Sequence, residues 1–529
     1  MLKAKLVWLL VIGAILWYFS GIGGNYAPVF STGDREDPAT TLIIMRGADA
    51  KTLDPAYAVD NESAGVLVNI YEGLVRFKEG STEVEPCLAT GWELSGQGLE
   101  WTFQLREDVY FHDGAKFNAA AVKYSIDRQL NNSEKREMYY AGFVFAPLEE
   151  VRVIDEYTIR FTLKYPYAPF LNNLAMPMAA PMVSPAAVQK HGSGFGQNPV
   201  GTGPYHFTAW KPGQEIILTA NEAYWGMLPA MRKIIFRVVE NEESRQFLFL
   251  DGKGDIIEPV SPAGAAFLEQ KGYATQTTPA LDVGYLGFFT EKQPFKDTRV
   301  RLAAAMALDR DRLIKDVLGA GCVAATGALP APVLGSGGVN IPAHDPAAAG
   351  RLLREAGYDQ GPAIRLITYQ ETRPYNPAGG PGLAEAIGEQ LEAAGFKVTV
   401  QTYPWDDYKK AIRNREGDAF LYGWISDNGD PDNFLYTLLS ANQIPSGLNA
   451  SRYSNPKLDT LLLSARGIKD REIRGDVYRR AQKIVVTDNP LVFINHSLHL
   501  SVTAKDIEGY TPHPTGWTRL DKVGKKAAR

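Results

Sequence analysis

Alternation with a period of two marks the first half of the chain. Trp101, Phe103 and Leu105 interleave with Thr102, Gln104 and Arg106, which predicts a half-buried strand over 101–106. An Asp113-Gly114 turn follows. A helix is then expected from Asn118, a side chain that caps helix starts well, through AAAVKYSIDRQL. VRVIDEYTIRFTLKYP reads as a hairpin turning at Asp155-Glu156, and GTGPYHFTAWKPGQEIILTAN repeats that theme between Tyr205 and Asn221. TLIIMRG, from Thr41 to Gly47, is a further short strand.

From about Leu281 the period changes. KDTRVRLAAAMALDRDRLIKDVL predicts one long helical stretch. GLAEAIGEQLEAAGFKVTVQTY reads as a helix, a stop at Gly395 and a strand from Phe396 to Tyr403, the step expected of α/β layering. GDAFLYGW is another strand, NPKLDTLLLSAR and DREIRGDVYRRAQKIVV are amphipathic helices, and PLVFINHSLHLSVT returns to β. The chain therefore reads as a β-rich first part, an α/β second part and a β return. Strands crossing between two lobes would make a clamp around a ligand.

At 529 residues the chain exceeds one ordinary core, so two or three domains are expected. A net charge of −5 without a basic block argues against nucleic acid as a partner. The short cationic tail Lys522, Lys525, Lys526 and Arg529 reads as a frayed, solvated end. At the other terminus, Lys3 and Lys5 precede an uncharged apolar run from Leu6 to Phe19 and then small residues. That pattern is an export signal or an uncleaved anchor over 1–24, followed by a polar linker over 25–40. The globular part is expected outside the inner membrane. Cys87 and Cys322 lie far apart in sequence and read as free thiols ahead of a disulfide. Without His-x-x-x-His or Cys-x-x-Cys spacing, no metal site and no cofactor are expected.

The chemistry concentrates in GWISDNGDPDNF, residues Gly423 to Phe434. Asn428-Gly429 and Asp430-Pro431 stop regular structure, so carboxylates are held on a loop after a strand. Asp427 and Asp430 could be an acid/base pair for glycoside hydrolysis, but no distant second carboxylate stands out. Calcium-loop spacing would need Gly at 433 and Glu at 439, where the chain has Asn433 and Leu439. Recognition of a positive group remains: Trp424 precedes Asp427, and Trp405 is expected on the loop after the neighbouring strand. A carboxylate between aromatic faces suits an ammonium, although packing tryptophans are common. In YQETRPYNPAGG, Arg373 sits among turn-forming prolines after the strand IRLITY and could grip a carboxylate with its fork of donors. GSGFG, Gly192 to Gly196, lacks the Lys-Ser/Thr of a phosphate loop and reads as a flexible surface loop.

YEGLVRF, EPCLATGWELSGQGLEWTFQLREDVYFHDGAKFNAAAVKYSIDR, NPVGTGPYHFTAWKPGQEIILTANEAYW and VGYLGFFTEKQPFKDTRVRLAAAMALDRDRLI, in this order, resemble the extracellular solute-binding proteins of bacterial ABC peptide importers. RPYNP and GWISDNGDPDNF are most similar to the dipeptide-binding branch. The resemblance implies an α/β, two-lobed, type II periplasmic-binding-protein fold with an extra subdomain in the first lobe. Lobe I would span about 41–280 with an insertion near 87–190, lobe II 281–497, a return to lobe I 498–522, and a tail 523–529. It implies a monomeric binder, not an enzyme, that hands short peptides to an inner-membrane permease driven by cytoplasmic ATPases. Asp427 would take the peptide ammonium and Arg373 its carboxylate, with Trp405, Trp424 and Tyr375 lining the cleft. Haem, glutathione or a nickel chelate are the alternative ligands within the family, and an exported glycoside hydrolase the alternative outside it.

Overall fold

The protein is described by a computed structural model covering residues 37–131 and 138–526; the apolar segment read as a signal or anchor lies outside the described residues. Among the described residues no helix is long and apolar enough to cross a membrane. Twelve strands hydrogen-bond into one continuous sheet whose two ends belong to different cores. At one end lie Tyr205–Lys211, Glu215–Ala220, Lys233–Val238, Thr41–Arg46 and Ile256–Ile257. Their apolar faces, including Ile44, Leu218 and Phe236, share a core with Trp517, Leu520 and Val523 from near the C-terminus. At the other end lie Asp282–Phe288, Ala419–Ile425, Ala363–Tyr369 and Lys397–Tyr403, whose Leu286, Phe420 and Ile367 share a core with Tyr478 and Val485 of the helix Arg471–Asp488. A separate antiparallel sheet, ordered Ala89–Ser95, Glu100–Leu105, Thr158–Leu163, Leu148–Asp155, adds Phe103, Ile159 and Phe161 to the first core.

One strand joins the two ends. In Leu491–Thr503, Asn495 pairs with Gly284 on the second-core side, and Leu498 pairs with Pro279 on the first-core side. The chain also crosses between Thr275–Pro279 and Asp282–Phe288, so two antiparallel segments, 279–282 and 495–498, run side by side between the lobes. They are stitched by Ala280 N–H to the Ser497 carbonyl at 2.9 Å and by Ser497 N–H to Asp282 Oδ1 at 2.8 Å. Burial pushes the Asp282 carboxyl up to about 6, against the hydrogen bonds from Ser497.

Both expected hairpins form, as does the helix Ala119–Leu130, capped by Asn118 accepting from Ala121 N–H. The long helical stretch is broken instead: Thr298–Ala307 ends at an extended Leu308, and Asp309 caps a new turn at Arg310. The Asp309 side chain accepts from Arg312 N–H at 3.0 Å, a local bond that competes with helix continuation, and its own N–H goes to Gln390. GSGFG is no flexible loop. It forms a 3₁₀ turn, Gly192–Gln197, whose Phe195 is buried and whose Gly196 carbonyl accepts from Leu53 N–H. Nor does the tail fray at its start: Val523 is buried, Gly524–Lys525 pairs with Ile507–Glu508, and Lys525 Nζ lies 2.8 Å from Asp255. Cys87 and Cys322 are both buried free thiols.

Because the folded state holds the Asp282 proton more tightly than the unfolded chain, its contribution favours folding below about pH 4 and is lost as pH rises through about 6. Relative to Asp282→Asn, the wild-type protein is expected to lose about 3 kcal/mol of stability over that window. Urea denaturation of both proteins at acid and neutral pH checks this; a difference that does not change with pH would show that folding leaves the carboxyl's proton affinity unshifted.

Candidate functional site

Three strands deliver the candidate side chains to one edge. Ala363–Tyr369 runs parallel to both Lys397–Tyr403 and Ala419–Ile425, and Tyr369 is level with Tyr403. Trp405, Arg373 and Asp427 each follow the carboxyl end of one of these strands. In open parallel sheets this is the edge at which ligands bind.

The Arg373 loop is closed by reciprocal backbone bonds between Arg373 and Asn376, at 2.9 and 2.8 Å. Asn376 is fixed in turn by donating to the Tyr369 hydroxyl and the Gly379 carbonyl. The Arg373 guanidinium lies 3.3 Å from the ring centre of Trp405, which stacks on Tyr422 at 5.8 Å. Its Nε is buried without a hydrogen-bond partner. Trp405 opens the helix Trp405–Asn414 and so lies on a helix rather than the expected loop; Tyr408 of that helix packs on Tyr369 and Tyr422 and donates to the Leu421 carbonyl. Tyr375 is only 5% exposed and backs the wall: a Cβ on Gly423 would fall 2.3 Å from its ring, which is why glycine is needed there.

The acidic loop sorts its carboxylates. Asp430 caps the helix Pro431–Leu439 and is gripped by both Arg474 terminal nitrogens at 2.7 Å, fully buried. Asp432 lies 3.4 Å from Arg466 and is pushed up to about 7 by burial. Asp430 is therefore committed to structure and unavailable as half of an acid/base pair. Asp427 reaches the first lobe, accepting from the Tyr140 hydroxyl at 2.8 Å. Burial raises its pKa, and the Tyr140 bond opposes the rise. Gly429, at φ +62°, lets the loop pass Thr82, where a Cβ would fall 2.5 Å from its methyl. Trp424 donates to Asn433 at 2.9 Å and braces the loop from below.

The structure thus brings Arg373, Trp405 and Tyr375 into one aromatic cluster with Tyr369, Tyr408 and Tyr422. It sets Asp427 on the adjoining loop and Trp424 near the end of the strand Ala419–Ile425 that leads into it. Tyr140, Tyr422 and Tyr369 are the participants that sequence reasoning missed. Tyr422 and Tyr369 stand on recognised strands beside chosen residues, so their position was a usable signal; nothing local marks Tyr140.

A model of bacterial extracellular solute-binding proteins, family 5 (middle), matches residues 83–446. The chain is 32% identical over 476 residues to the dipeptide-binding protein of Escherichia coli (strain K12), covering 86% of this chain and 89% of that one. It is 34% identical over 477 residues to heme-binding protein A of Haemophilus influenzae, covering 85% of each. Among solved structures it is similar to the ABC transporter-associated periplasmic binding protein DppA from Helicobacter pylori, in complex with peptide STSA. That match has a TM-score of 0.70 at 31% identity and covers 92% of this chain and 98% of that one. The mixed α/β, two-lobed architecture is the periplasmic-binding-protein fold.

Removing the Arg474 side chain would strand the Asp430 charge in the core. Arg474→Met is expected to destabilise the protein by about 3–5 kcal/mol, whereas Asp427→Asn should cost under about 1 kcal/mol because a hydroxyl donor can still pair with an amide oxygen. Chemical denaturation of the two variants checks the contrast; equal losses would show that both carboxylates are structural.

Proposed function

We propose that this chain, which belongs to the bacterial extracellular solute-binding proteins of family 5, captures short peptides by their two charged ends and delivers them to an ABC importer. One observation carries the reading. Among the described residues, Asp427 and Arg373 make no ion pair with any other side chain, yet both are largely withdrawn from water on adjoining loops at one sheet edge. A zwitterion supplies the two missing charges: an ammonium to Asp427 beside the Tyr140 hydroxyl, a carboxylate to the Arg373 fork over Trp405. Both anchors lie on the lobe of about 281–497, and the lobe of about 41–280 with 498–522 closes over the ligand. Closure excludes water, which strengthens both pairs.

The protein acts outside the cytoplasmic membrane, secreted or tethered through its N-terminal segment, as a monomer without enzymatic turnover. Its partners are a membrane permease and the cytoplasmic ATPases that drive it. Charge separates the alternative ligands. Glutathione carries an ammonium and two carboxylates and satisfies both anchors. Haem carries two propionates and no ammonium, leaving Asp427 unmatched; a nickel chelate fits only through its organic carboxylates.

Thermal stabilisation across free dipeptides, tripeptides, terminally blocked peptides, glutathione, haem and nickel chelate tests the reading, since a bound ligand raises the melting temperature by mass action. A shift with free peptides that disappears on blocking either end is expected; a shift with haem alone would replace the peptide. Asp427→Ala or Arg373→Ala should each cost roughly 3–5 kcal/mol of binding, a hundred- to several-thousand-fold in affinity. Titration calorimetry with a free-acid dipeptide and its amide checks the second: Arg373→Ala should erase the difference between them, and normal binding by Asp427→Ala would refute the ammonium assignment.

A further inference from the structure

The two ligand-facing loops are moored to the two segments that cross between the lobes. On the acidic side, Ser426 N–H donates to the Leu281 carbonyl at 2.7 Å, one residue before Asp427. On the basic side, Asn495 Nδ2 donates to the Tyr375 carbonyl at 3.0 Å, and Ser497 Oγ to the Pro374 carbonyl at 2.8 Å. Asn495 and Ser497 are two apart on an extended strand and so face the same side. Both carbonyls belong to the tight turn that starts at Arg373. Between Asn495 and Leu498 the strand exchanges its partner in the second lobe, Gly284, for Pro279 on the first-lobe side.

We propose that Asn495 and Ser497 are positioning residues that tie the backbone of the Arg373 loop to the interlobe crossing, so that the seating of the guanidinium and the angle between the lobes change together. A rotation at 495–498 displaces the groups that hold Pro374 and Tyr375, and Arg373 is carried with its turn. Conversely, a carboxylate seated on Arg373 biases the crossing toward the angle in which those two bonds are best formed. The packing leaves little slack. Asn495 is fully buried, and its Oδ1 lies 2.4 Å from where a Cβ on Gly284 would be, so the side chain fills the space above that glycine. This inference rests on the peptide-terminus reading of Arg373.

The test compares wild type with Asn495→Ala, Ser497→Ala and Ser497→Thr, which keeps the hydroxyl. One readout is the affinity ratio between a free-acid dipeptide and its C-terminal amide. The other is the interlobe distance, by pulsed electron resonance between spin labels at Phe247→Cys and Leu463→Cys, exposed positions on helices of the two lobes. The native thiols are buried and their pKa values raised, so they compete poorly for the label. Each alanine variant is expected to reduce the acid-to-amide preference roughly tenfold, the worth of one lost hydrogen bond, and to populate fewer closed molecules at saturating free-acid peptide. Ser497→Thr should restore both. Equal loss of affinity for acid and amide, or an unchanged distance distribution, would overturn the coupling. If wild type itself makes no distinction between acid and amide, the peptide-terminus reading fails and takes the inference with it.

Discussion

A charge withdrawn from water must find an opposite charge, and the second lobe is organised by that constraint. Asp430 meets it within the protein, through a two-bond fork with Arg474, and the helix Pro431–Leu439 starts on that support. Asp432 meets it in part, through Arg466. Asp427 meets it only with a neutral hydroxyl from the other lobe, and Arg373 only with an aromatic face. The same acidic sequence thus holds one carboxylate paired inside the lobe and one without a charged partner among the described residues. Aspartates three residues apart differ because Asp430 faces the helix packed behind the loop and Asp427 the opposite lobe.

Much of the architecture was legible because period and capping residues act locally. The strand 101–106, both hairpins and the Asn118 cap depend on neighbours within a few positions. Failures arose where a distant partner decided. The helix over 296–318 breaks at Leu308 because Asp309 caps toward Arg312 and is held by Gln390, far along the chain. GSGFG looks mobile from its glycines, yet Phe195 is buried and Gly196 sits against Thr52. For the site, the two charged loops were readable from turn residues that fix side chains at strand ends. Tyr140 was not, since its relation to Asp427 spans 287 positions and belongs to the contact between lobes.

Aromatic residues do two jobs that composition alone cannot separate. Tyr375, Tyr408 and Tyr285 are core residues whose bulk holds the sheet surface in shape, and Gly423 exists to admit the first of them. Trp405 lies half-buried beneath the Arg373 guanidinium, where its ring restricts the rotamers open to that long side chain. Preorganisation of this kind lets a small ligand bind tightly with few direct contacts.

The interleaving of the first lobe also orders events in time. Its core needs Thr41–Arg46 from the start of the described chain and Trp517, Leu520 and Val523 from near its end, and Lys525 donates to the Thr41 carbonyl. A ribosome makes those partners last. Until they emerge, the lobe has an unfinished apolar face. The wrap of the C-terminal segment therefore leaves the first lobe's core incomplete until the last of its strands and side chains have been made, whereas the second core is complete by Ile494.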